Sequence, residues 1–236
     1  MRLSDFSTLT FDCYGTLIDW ESGLLAALAP LAARAGRGPE EVLADYARHE
    51  AAQEHETPAA RYCDLLTMVH RRLAAEWGVA TSAEEDAAFG ASVPEWPAFV
   101  DSAEALAYLA RHYRLVVLSN VDRTSFAGSR KRLGDVFSAV YTAEDIGSYK
   151  PDLANFRHML AHEAQAGVAP AQILHTAQSL FHDHVPAKRM GLATAWIDRR
   201  AGRAGGGATP AVEGARWDFR FTSLAELAAA HAAERS

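Results

Sequence analysis

Five short apolar runs recur along the chain, and longer stretches with helical spacing separate them. Several runs are apolar on both faces, which is typical of strands buried within a parallel sheet. Apolar positions three or four residues apart predict helices over residues 102–112, 154–166 and 186–190. This alternation favours an α/β fold with a doubly wound parallel sheet. The five predicted strands are residues 8–11, 115–118, 139–142, 173–176 and 194–197.

A long stretch from residue 19 to residue 96 interrupts the alternation. It is rich in Ala, Glu, Arg and Leu and has helical character throughout. Turn-forming residues divide it into about four helices. We therefore predict a helical subdomain, residues 19–96, inserted into a sheet domain formed by residues 1–18 and 97–236. The predicted dividing points are Pro30, Gly36-Arg37-Gly38-Pro39, Pro58 and Gly78.

Two features are predicted near the other end of the chain. Residues 202–214 include Gly205-Gly206-Gly207 and Pro210, and no helix signal follows directly. This predicts a flexible loop and not a phosphate-binding loop. The segment Ser223-Leu224-Ala225-Glu226 fits a capping box and predicts a final helix.

Composition and charge narrow the class of protein. The 236 residues are 49% hydrophobic and 22% charged, which is ordinary for a globular chain and excludes disordered and fibrous classes. The net charge of −7 gives no reason to expect a nucleic-acid surface. No apolar run is long enough to span a membrane, and the first residues lack a signal peptide's apolar segment. With two widely separated cysteines, Cys13 and Cys63, we expect a cytoplasmic protein with free thiols.

Polar and charged side chains follow four of the predicted strands. In an open α/β sheet, ligands bind beyond the carboxyl ends of the strands, so these side chains should meet there. Each one alone is explained equally well by a turn or a helix cap. The four together predict an active site. They are Asp12 after the first strand, Ser119-Asn120 after the second, Lys150 after the third and Asp183 after the fourth.

This order of residues resembles the haloacid dehalogenase superfamily of hydrolases. The resemblance covers essentially the whole chain, because the inserted helices are similar to the family's helical cap on a Rossmann-like core. It implies that Asp12 is a nucleophile that forms a covalent ester with a small-molecule substrate. It also implies that Ser119 and Asn120 position the substrate and that Lys150 holds and neutralises the carboxylates. The segments that carry the resemblance are Asp12-x-Tyr14-Gly15-Thr16, Ser119-Asn120, Lys150-Pro151-Asp152 and the acidic motif around Asp183.

Position 14 distinguishes between branches of that superfamily. Its phosphatases resemble Asp-x-Asp, with the second Asp acting as a general acid beside Mg²⁺, but this chain has Tyr14. A phenol with a pKa near 10 shuttles protons poorly at neutral pH. The Asp-x-Tyr-Gly-Thr form is similar to the L-2-haloacid dehalogenases, whose halide leaving group needs no proton. The resemblance therefore implies hydrolytic dehalogenation of small 2-haloalkanoic acids, with Asp183 assisting the water that cleaves the ester.

Cofactor use follows from the same comparison. The superfamily's phosphatases carry an Asp five residues before the position of Asp183, and this chain has Gln178. With neutral residues at positions 14 and 178, we expect no metal. Two alternatives stay open. One is a Mg²⁺-dependent phosphatase acting on a small phosphomonoester. The other is a binding protein of the same fold whose catalysis has decayed, which Gln178 and Leu180 motivate because dehalogenases carry Ser and Asn there.

The substrate-binding residues are harder to assign. Dehalogenases of this kind use a cap arginine beside the halide, but the matching position is Leu43, and the nearest candidates are Arg48 and, more distantly, Arg61. A solvated helix face is the alternative interpretation for Arg48. We predict that Tyr14, Thr16, Arg48 and Gln178 contact the substrate. A homodimer through a cap helix is expected by analogy.

The histidines near Asp183 are candidate metal ligands. His175, His182 and His184 are close enough in sequence to form a transition-metal site. Hydrogen bonds from His182 or His184 to a loop, or a substrate contact by His182, are the alternatives that we favour.

Overall fold

A six-stranded parallel sheet forms the centre of the computed structural model, which describes residues 1–202 and 212–236. The strand order is β3-β2-β1-β4-β5-β6. β1 pairs in parallel with both β2 and β4, so the direction of winding reverses beside β1. The carboxyl ends of these strands form one edge, where a doubly wound fold binds its ligand. The strands are β1 Thr8–Phe11, β2 Arg114–Ser119, β3 Ala139–Thr142, β4 Ile173–Ala177, β5 Ala193–Ile197 and β6 Phe219–Phe221.

The helices beside the sheet follow the predicted spacing closely. Each of the three predicted helices is present, with ends that differ by at most three residues. The π-helical turn Leu180–His184 follows β4 and carries Asp183. These helices are α5 Ser102–Leu109, α6 Arg123–Leu133, α7 Ala143–Ile146, α8 Leu153–Gln165, α9 Val185–Arg189 and α10 Leu224–Arg235. Short 3₁₀ helices cover Leu3–Asp5, Val93–Glu95 and Pro170–Gln172.

Four helices fill the insertion after β1. They are α1 Trp20–Ala35, α2 Pro39–Glu56, α3 Tyr62–Glu76 and α4 Ala83–Gly90. Pro30 does not end a helix, contrary to our prediction, because it lies inside α1. A proline there removes one backbone hydrogen bond, but the buried face of α1 continues past it from Leu28 to Leu31. The helix ends instead at Gly36, whose φ of 65° suits a residue without a Cβ.

The insertion leaves and rejoins the sheet domain at one point. Ile18 forms isolated bridges with Tyr14 and Ala98, and the Asp19 amide donates to the Pro97 carbonyl oxygen at 2.8 Å. One continuous cluster of buried apolar residues joins the inserted helices to one face of the sheet. The division into 1–18 with 97–236 and 19–96 stays a prediction, but this pairing explains why a cap would begin and end where the sequence changes.

The carboxyl-terminal part of the chain differs from prediction in two details. The sequence pattern missed β6, a three-residue edge strand that is too short to show a clear alternation. Ser223 caps α10 by accepting a hydrogen bond from the Glu226 amide at 3.0 Å, as expected. The Glu226 carboxylate, however, accepts from the Thr222 amide and not from Ser223. The predicted loop with Gly205-Gly206-Gly207 and Pro210 lies outside the described residues.

The structure also bears on membrane insertion. Within residues 1–202 and 212–236, no helix combines the length and the apolar character that crossing a bilayer requires.

Candidate active site

Three charged side chains meet beyond the carboxyl ends of β1, β3 and β4. The Lys150 ammonium donates to Asp12 Oδ1 at 2.9 Å, to Asp183 Oδ1 at 2.7 Å and to the Leu118 carbonyl oxygen at 3.0 Å. Lys150 and Asp183 are each 1% exposed, and Asp12 is 6% exposed. One buried cation therefore bridges two buried carboxylates, as the order of the strands predicts.

Asn120 fixes the position of this lysine. Its Oδ1 accepts from the Lys150 amide at 2.6 Å, and its Nδ2 donates to the Lys150 carbonyl oxygen at 3.0 Å. The neighbouring Ser119 is buried, and its Oγ has no hydrogen-bond partner in the described part of the chain. Asn120 thus clamps the backbone that carries the ammonium, while the Ser119 hydroxyl is left available for a ligand.

The Thr16 side chain makes a hydrogen bond to the carboxylate of Asp12. Its hydroxyl donates to Asp12 Oδ2 at 2.7 Å and accepts from the Gln178 amide at 2.9 Å. Thr16 is fully buried and is not among the pocket-lining residues. The predicted substrate contact of Thr16 is therefore not supported. Its geometry is that of a residue that orients Asp12.

His175 belongs to the site, although the sequence pattern did not single it out for this position. Its Nε2 lies 3.0 Å from Asp183 Oδ1, and its Nδ1 lies 2.9 Å from Thr10 Oγ1. Because a carboxylate only accepts hydrogen bonds, Nε2 carries the proton and Nδ1 accepts from the hydroxyl. The signal that could have found this pair is the register, since Thr10 and His175 are direct partners across β1 and β4.

His182 and His184 do not form a metal site with His175. His184 Nε2 lies 3.0 Å from the Ala177 carbonyl oxygen and holds the local turn. His182 lines the pocket, and its Nδ1 lies 3.1 Å from Ser179 Oγ. Burial lowers the pKa of His182 to about 4, so its ring is neutral near pH 7. Among the residues that the structure describes, no group of three or more His, Cys, Asp and Glu side chains is arranged to hold a metal.

The protonation states follow from burial and from the shared ammonium. Burial raises the pKa of Asp12, and Lys150 opposes this rise. Burial also acts to raise the pKa of Asp183, but Lys150 and the hydrogen bond from His175 outweigh it and lower that pKa. For Lys150, the two carboxylates outweigh the effect of burial and raise the pKa of the ammonium. Lys150 therefore stays charged, and Asp183 is held ionised.

These residues open into a pocket between the sheet edge and the inserted helices. All five predicted catalytic residues line it, as do Tyr14 and Gln178 from the predicted substrate contacts. Tyr14 points its hydroxyl at Ser129, with the two oxygens 2.9 Å apart, and burial raises the pKa of the phenol well above its usual range. The remaining lining residues are Trp20, Glu50, Glu54, Tyr62, Trp96, Ser179 and His182, of which the sequence indicated only His182 and, just past the first motif, Trp20.

The structure does not bring Arg48 to this pocket. Arg48 is exposed, and its guanidinium contacts Glu76 at 2.7 Å and Asp45 at 2.8 Å. Successive helical residues are about 100° apart, so a residue two positions before Glu50 lies on the opposite side of α2. The proposed substrate contact of Arg48 is therefore not supported, and the alternative of a solvated helix face describes its position.

The donor set does not fit Mg²⁺, the cation of the phosphatase alternative. Mg²⁺ requires near-octahedral oxygen coordination. The Oδ1 atoms of Asp12 and Asp183 both accept from Lys150, and Asp12 Oδ2 accepts from Thr16. Of the four oxygens of Asp12 and Asp183, only Asp183 Oδ2 is without a hydrogen-bond partner within residues 1–202 and 212–236. The Lys150 ammonium supplies the positive charge at the place where a cation would contact both carboxylates.

Removing the Thr16 hydroxyl tests its orienting role. Thr16→Val leaves the Gln178 amide unpaired and should lower the free energy of unfolding by about 1–3 kcal/mol. Misplacing the carboxylate should lower turnover by about 10- to 100-fold. Because the hydroxyl lowers the pKa of Asp12, the acidic limb of the pH–rate profile should move to higher pH. Thr16→Ser, which keeps the hydroxyl, is the control. A Thr16→Val protein with the same profile as Thr16→Ser would contradict this role.

Comparisons with known proteins agree with this architecture. Residues 6–176 match the family described as haloacid dehalogenase-like hydrolase. No curated protein is similar enough in sequence to count as a match. Several solved structures are similar over nearly the whole chain. One is an L-2-haloacid dehalogenase from Xanthobacter autotrophicus with chloropropionic acid covalently bound, with a TM-score of 0.78 and 19% identity over 95% of this chain and 97% of that chain.

Two further structures have related folds. A defluorinating L-2-haloacid dehalogenase has a TM-score of 0.75 and 22% identity, covering 97% of this chain and 98% of that chain. The magnesium-bound hydrolase YfnB of Bacillus subtilis has a TM-score of 0.76 and 16% identity, covering 98% and 100%. At these identities the similarity concerns the fold. Because one neighbour is magnesium-bound and others are dehalogenases, the fold alone does not choose between the two chemistries.

Proposed function

The chain belongs to the haloacid dehalogenase-like hydrolases, and on that premise we propose that it hydrolyses a carbon–halogen bond through a covalent ester on Asp12. The observation that carries the proposal is the arrangement of Asp12, Lys150 and Asp183. Position 14 adds to it, because its residue is Tyr14, whose phenol faces Ser129. Such a site offers a nucleophile and a fixed positive charge, and the position two residues after the nucleophile holds no carboxylic acid to protonate a leaving group.

In the first step, one Asp12 oxygen attacks the carbon that bears the halogen. A carbon–oxygen bond forms, and the carbon–halogen bond breaks as the halide leaves with its electron pair. No proton moves, so the Tyr14 hydroxyl has no part in the step. Lys150 and Thr16, which contact the two Asp12 oxygens at 2.9 and 2.7 Å, orient the nucleophile.

In the second step, water adds to the Asp12 carboxyl carbon. The proton of the attacking water goes to an acceptor, and the unpartnered Asp183 Oδ2 is the buried carboxylate oxygen available in the same pocket. Lys150 stabilises the negative charge that develops on the carbonyl oxygen of the ester. The alkoxide of the product leaves with the original Asp12 oxygen and takes up the proton that Asp183 accepted, while the oxygen from water stays on Asp12.

The reaction class suggests small 2-halo acids and their derivatives as the first substrates to test. The chloropropionic acid bound covalently in the Xanthobacter enzyme supports this choice. The phosphatase alternative is weaker, because two carboxylates already bound to Lys150 are poor ligands for Mg²⁺. A decayed binding protein is weaker as well, because the nucleophile, the ammonium and the second carboxylate retain direct contact.

A single turnover in ¹⁸O-labelled water tests the proposal. Enzyme in excess is mixed with 2-chloropropionate or with its neutral amide, and the product and the peptide that contains Asp12 are analysed by mass spectrometry. The expected result is unlabelled product and one ¹⁸O atom on Asp12. Label that appears directly in the first product would mean that water attacked the substrate, which contradicts the covalent route.

The same preparation distinguishes the alternatives. Halide release should continue in EDTA. Release of phosphate from p-nitrophenyl phosphate that EDTA abolishes would support a Mg²⁺-dependent phosphatase instead. If no substrate of a broad panel turns over and a ligand still raises the melting temperature, the chain would be a binding protein.

A further inference from the structure

The inserted helices contribute two carboxyl groups to the pocket. Glu50 and Glu54 lie one turn apart on α2 and therefore share a face. Glu54 Oε1 lies 3.4 Å from Asn120 Nδ2, so this group reaches the residue that clamps Lys150. Glu50 Oε1 accepts from the Tyr46 hydroxyl at 2.7 Å and from the Tyr62 hydroxyl at 2.5 Å. The wall of the pocket opposite the sheet edge is therefore acidic.

The charges around the pocket do not suit an anionic substrate. Four carboxyl groups line it: Asp12, Asp183, Glu50 and Glu54. Among the described lining residues, Lys150 is the only side chain that is positively charged at neutral pH, and it is already bonded to two carboxylates. A substrate carboxylate would thus enter without a free counter-ion and beside like charges, which costs several kcal/mol at a recognition site.

Other pocket groups independently indicate a binding site for a ligand. Ser119 Oγ and Asp183 Oδ2 are buried and without a hydrogen-bond partner in the described part of the chain, although both side chains line the pocket. Buried polar groups in folded proteins are ordinarily hydrogen-bonded. Aromatic rings form much of the remaining wall, and the face of such a ring attracts an organic cation. The aromatic lining residues are Tyr14, Trp20, Tyr62 and Trp96.

We propose that the substrate carries a positively charged ammonium group, which binds Glu54 and Glu50 beside the aromatic rings while the carbon with the leaving group lies against Asp12. This substrate class rests on the proposed function, since it names what the same site accepts. Burial raises the pKa of both glutamates, and a bound ammonium compensates for burial by stabilising their ionised forms.

Three chloroacetamides with the same reactive end test the charge preference. They are N-(2-aminoethyl)-2-chloroacetamide, N-propyl-2-chloroacetamide and N-(carboxymethyl)-2-chloroacetamide, which carry a cation, no charge and an anion. Chloride release gives kcat/KM for each. We expect the cation to exceed the anion by about 100-fold, with the neutral compound between them. A kcat/KM for the anion equal to or above that for the cation would overturn the proposal. Protonated glutamates that donate to a substrate carboxylate would produce that result.

Binding without turnover separates this inference from the proposed function. Calorimetric titration of the Asp12→Asn protein with the same three compounds should give the same order of affinity. If that order is found but the wild-type enzyme releases no chloride, the proposed function fails and the charge preference stands. If chloride is released but neither rates nor affinities favour the cation, the charge preference fails and the proposed function stands.

Glu54→Gln tests the residue assignment. The ratio of kcat/KM for the cation to that for the neutral compound should fall about tenfold, because a charge is lost while the shape is kept. Glu56→Gln is the matched control, since Glu56 is exposed near the end of the same helix and pairs with Arg72. A ratio that is equal in the two variants would overturn the role of Glu54, and melting temperatures would show that both fold.

Discussion

Replacing Asp12 with Asn is expected to lower turnover by at least about 10³-fold, because an amide oxygen does not form the ester and loss of a nucleophile has effects of this size or larger. The fold should survive the change. Asn has nearly the same shape, the Thr16 hydroxyl can rotate to accept from the new amide, and Lys150 keeps its 2.7 Å contact with Asp183. Chloride release and the melting temperature are the two measurements.

A matched substitution shows whether the loss is specific. Asp135→Asn makes the same chemical change at an exposed carboxylate that contacts Arg130 at the end of α6, and it should leave turnover unchanged. After a single turnover in ¹⁸O-labelled water, the peptide that contains Asp12 should gain the mass of one ¹⁸O exchange in the Asp135→Asn protein. The corresponding peptide of the Asp12→Asn protein should keep its mass. If Asp12→Asn retained more than about a tenth of wild-type turnover, Asp12 would not be the nucleophile.

The sheet was predictable because strands that are buried on both faces leave a strong mark on a sequence. Strands β1, β2 and β4 are buried at nearly every position, and the runs at β1 to β5 were all found from the sequence. The parallel order then implied that Asp12, Lys150 and Asp183 would meet, since their strands end at one edge. Strand β6 has no recognisable apolar run, because it is an edge strand of only three residues.

Side-chain direction was not predictable in the same way. Thr16 and Arg48 were expected at the substrate for their chemistry and for their place in the motif or in the cap. Whether a side chain points into the pocket depends on helix rotation and on the turn after β1. Two residues that are two positions apart in a helix point in nearly opposite directions. For this reason Arg48 and Glu50 lie on different sides of α2. The sequence alone therefore did not show that Glu50 and Glu54 of the inserted helices line the pocket, and the structure was needed to find them.

The acidic wall lies on a different part of the chain from the residues of the proposed reaction. In the proposed reaction, the sheet edge provides the nucleophile, an ammonium and a second carboxylate, and these determine the type of bond that is broken. The inserted helices provide Glu50 and Glu54, which we propose select the group attached to the reacting carbon. The two parts are separate in sequence, so a family-like nucleophile motif does not bring the family's substrate with it.

Replacing Lys150 with Met is expected to have the largest effect on stability. The variant leaves Asp12 and Asp183 buried side by side without a cation, and losing one partner of a buried ion pair costs about 3–5 kcal/mol of unfolding free energy. Turnover should fall by at least about 10³-fold, since the charge that stabilises the developing oxyanion is also lost. Lys131→Met is the control, because Lys131 is exposed on α6, and both of its values should match wild type.

The pH dependence identifies the cause of that instability. In the wild-type protein the lowered pKa of Asp183 stabilises the fold above the unfolded value near 3.8, and this contribution is lost as the pH falls. Without Lys150, burial and mutual repulsion both raise the pKa values of the two carboxyls. The variant should therefore be closest to wild type at about pH 5 and least stable relative to it at about pH 8.

A second substitution completes the test of Lys150. Adding Asp183→Asn to Lys150→Met removes one of the two like charges and should recover much of the lost unfolding free energy while turnover stays absent. Chemical denaturation at both pH values measures this directly. If the double variant were no more stable than Lys150→Met, or if the deficit did not grow with pH, lost packing of the lysine stem would explain the instability, and the ammonium would not be what holds the two carboxylates together.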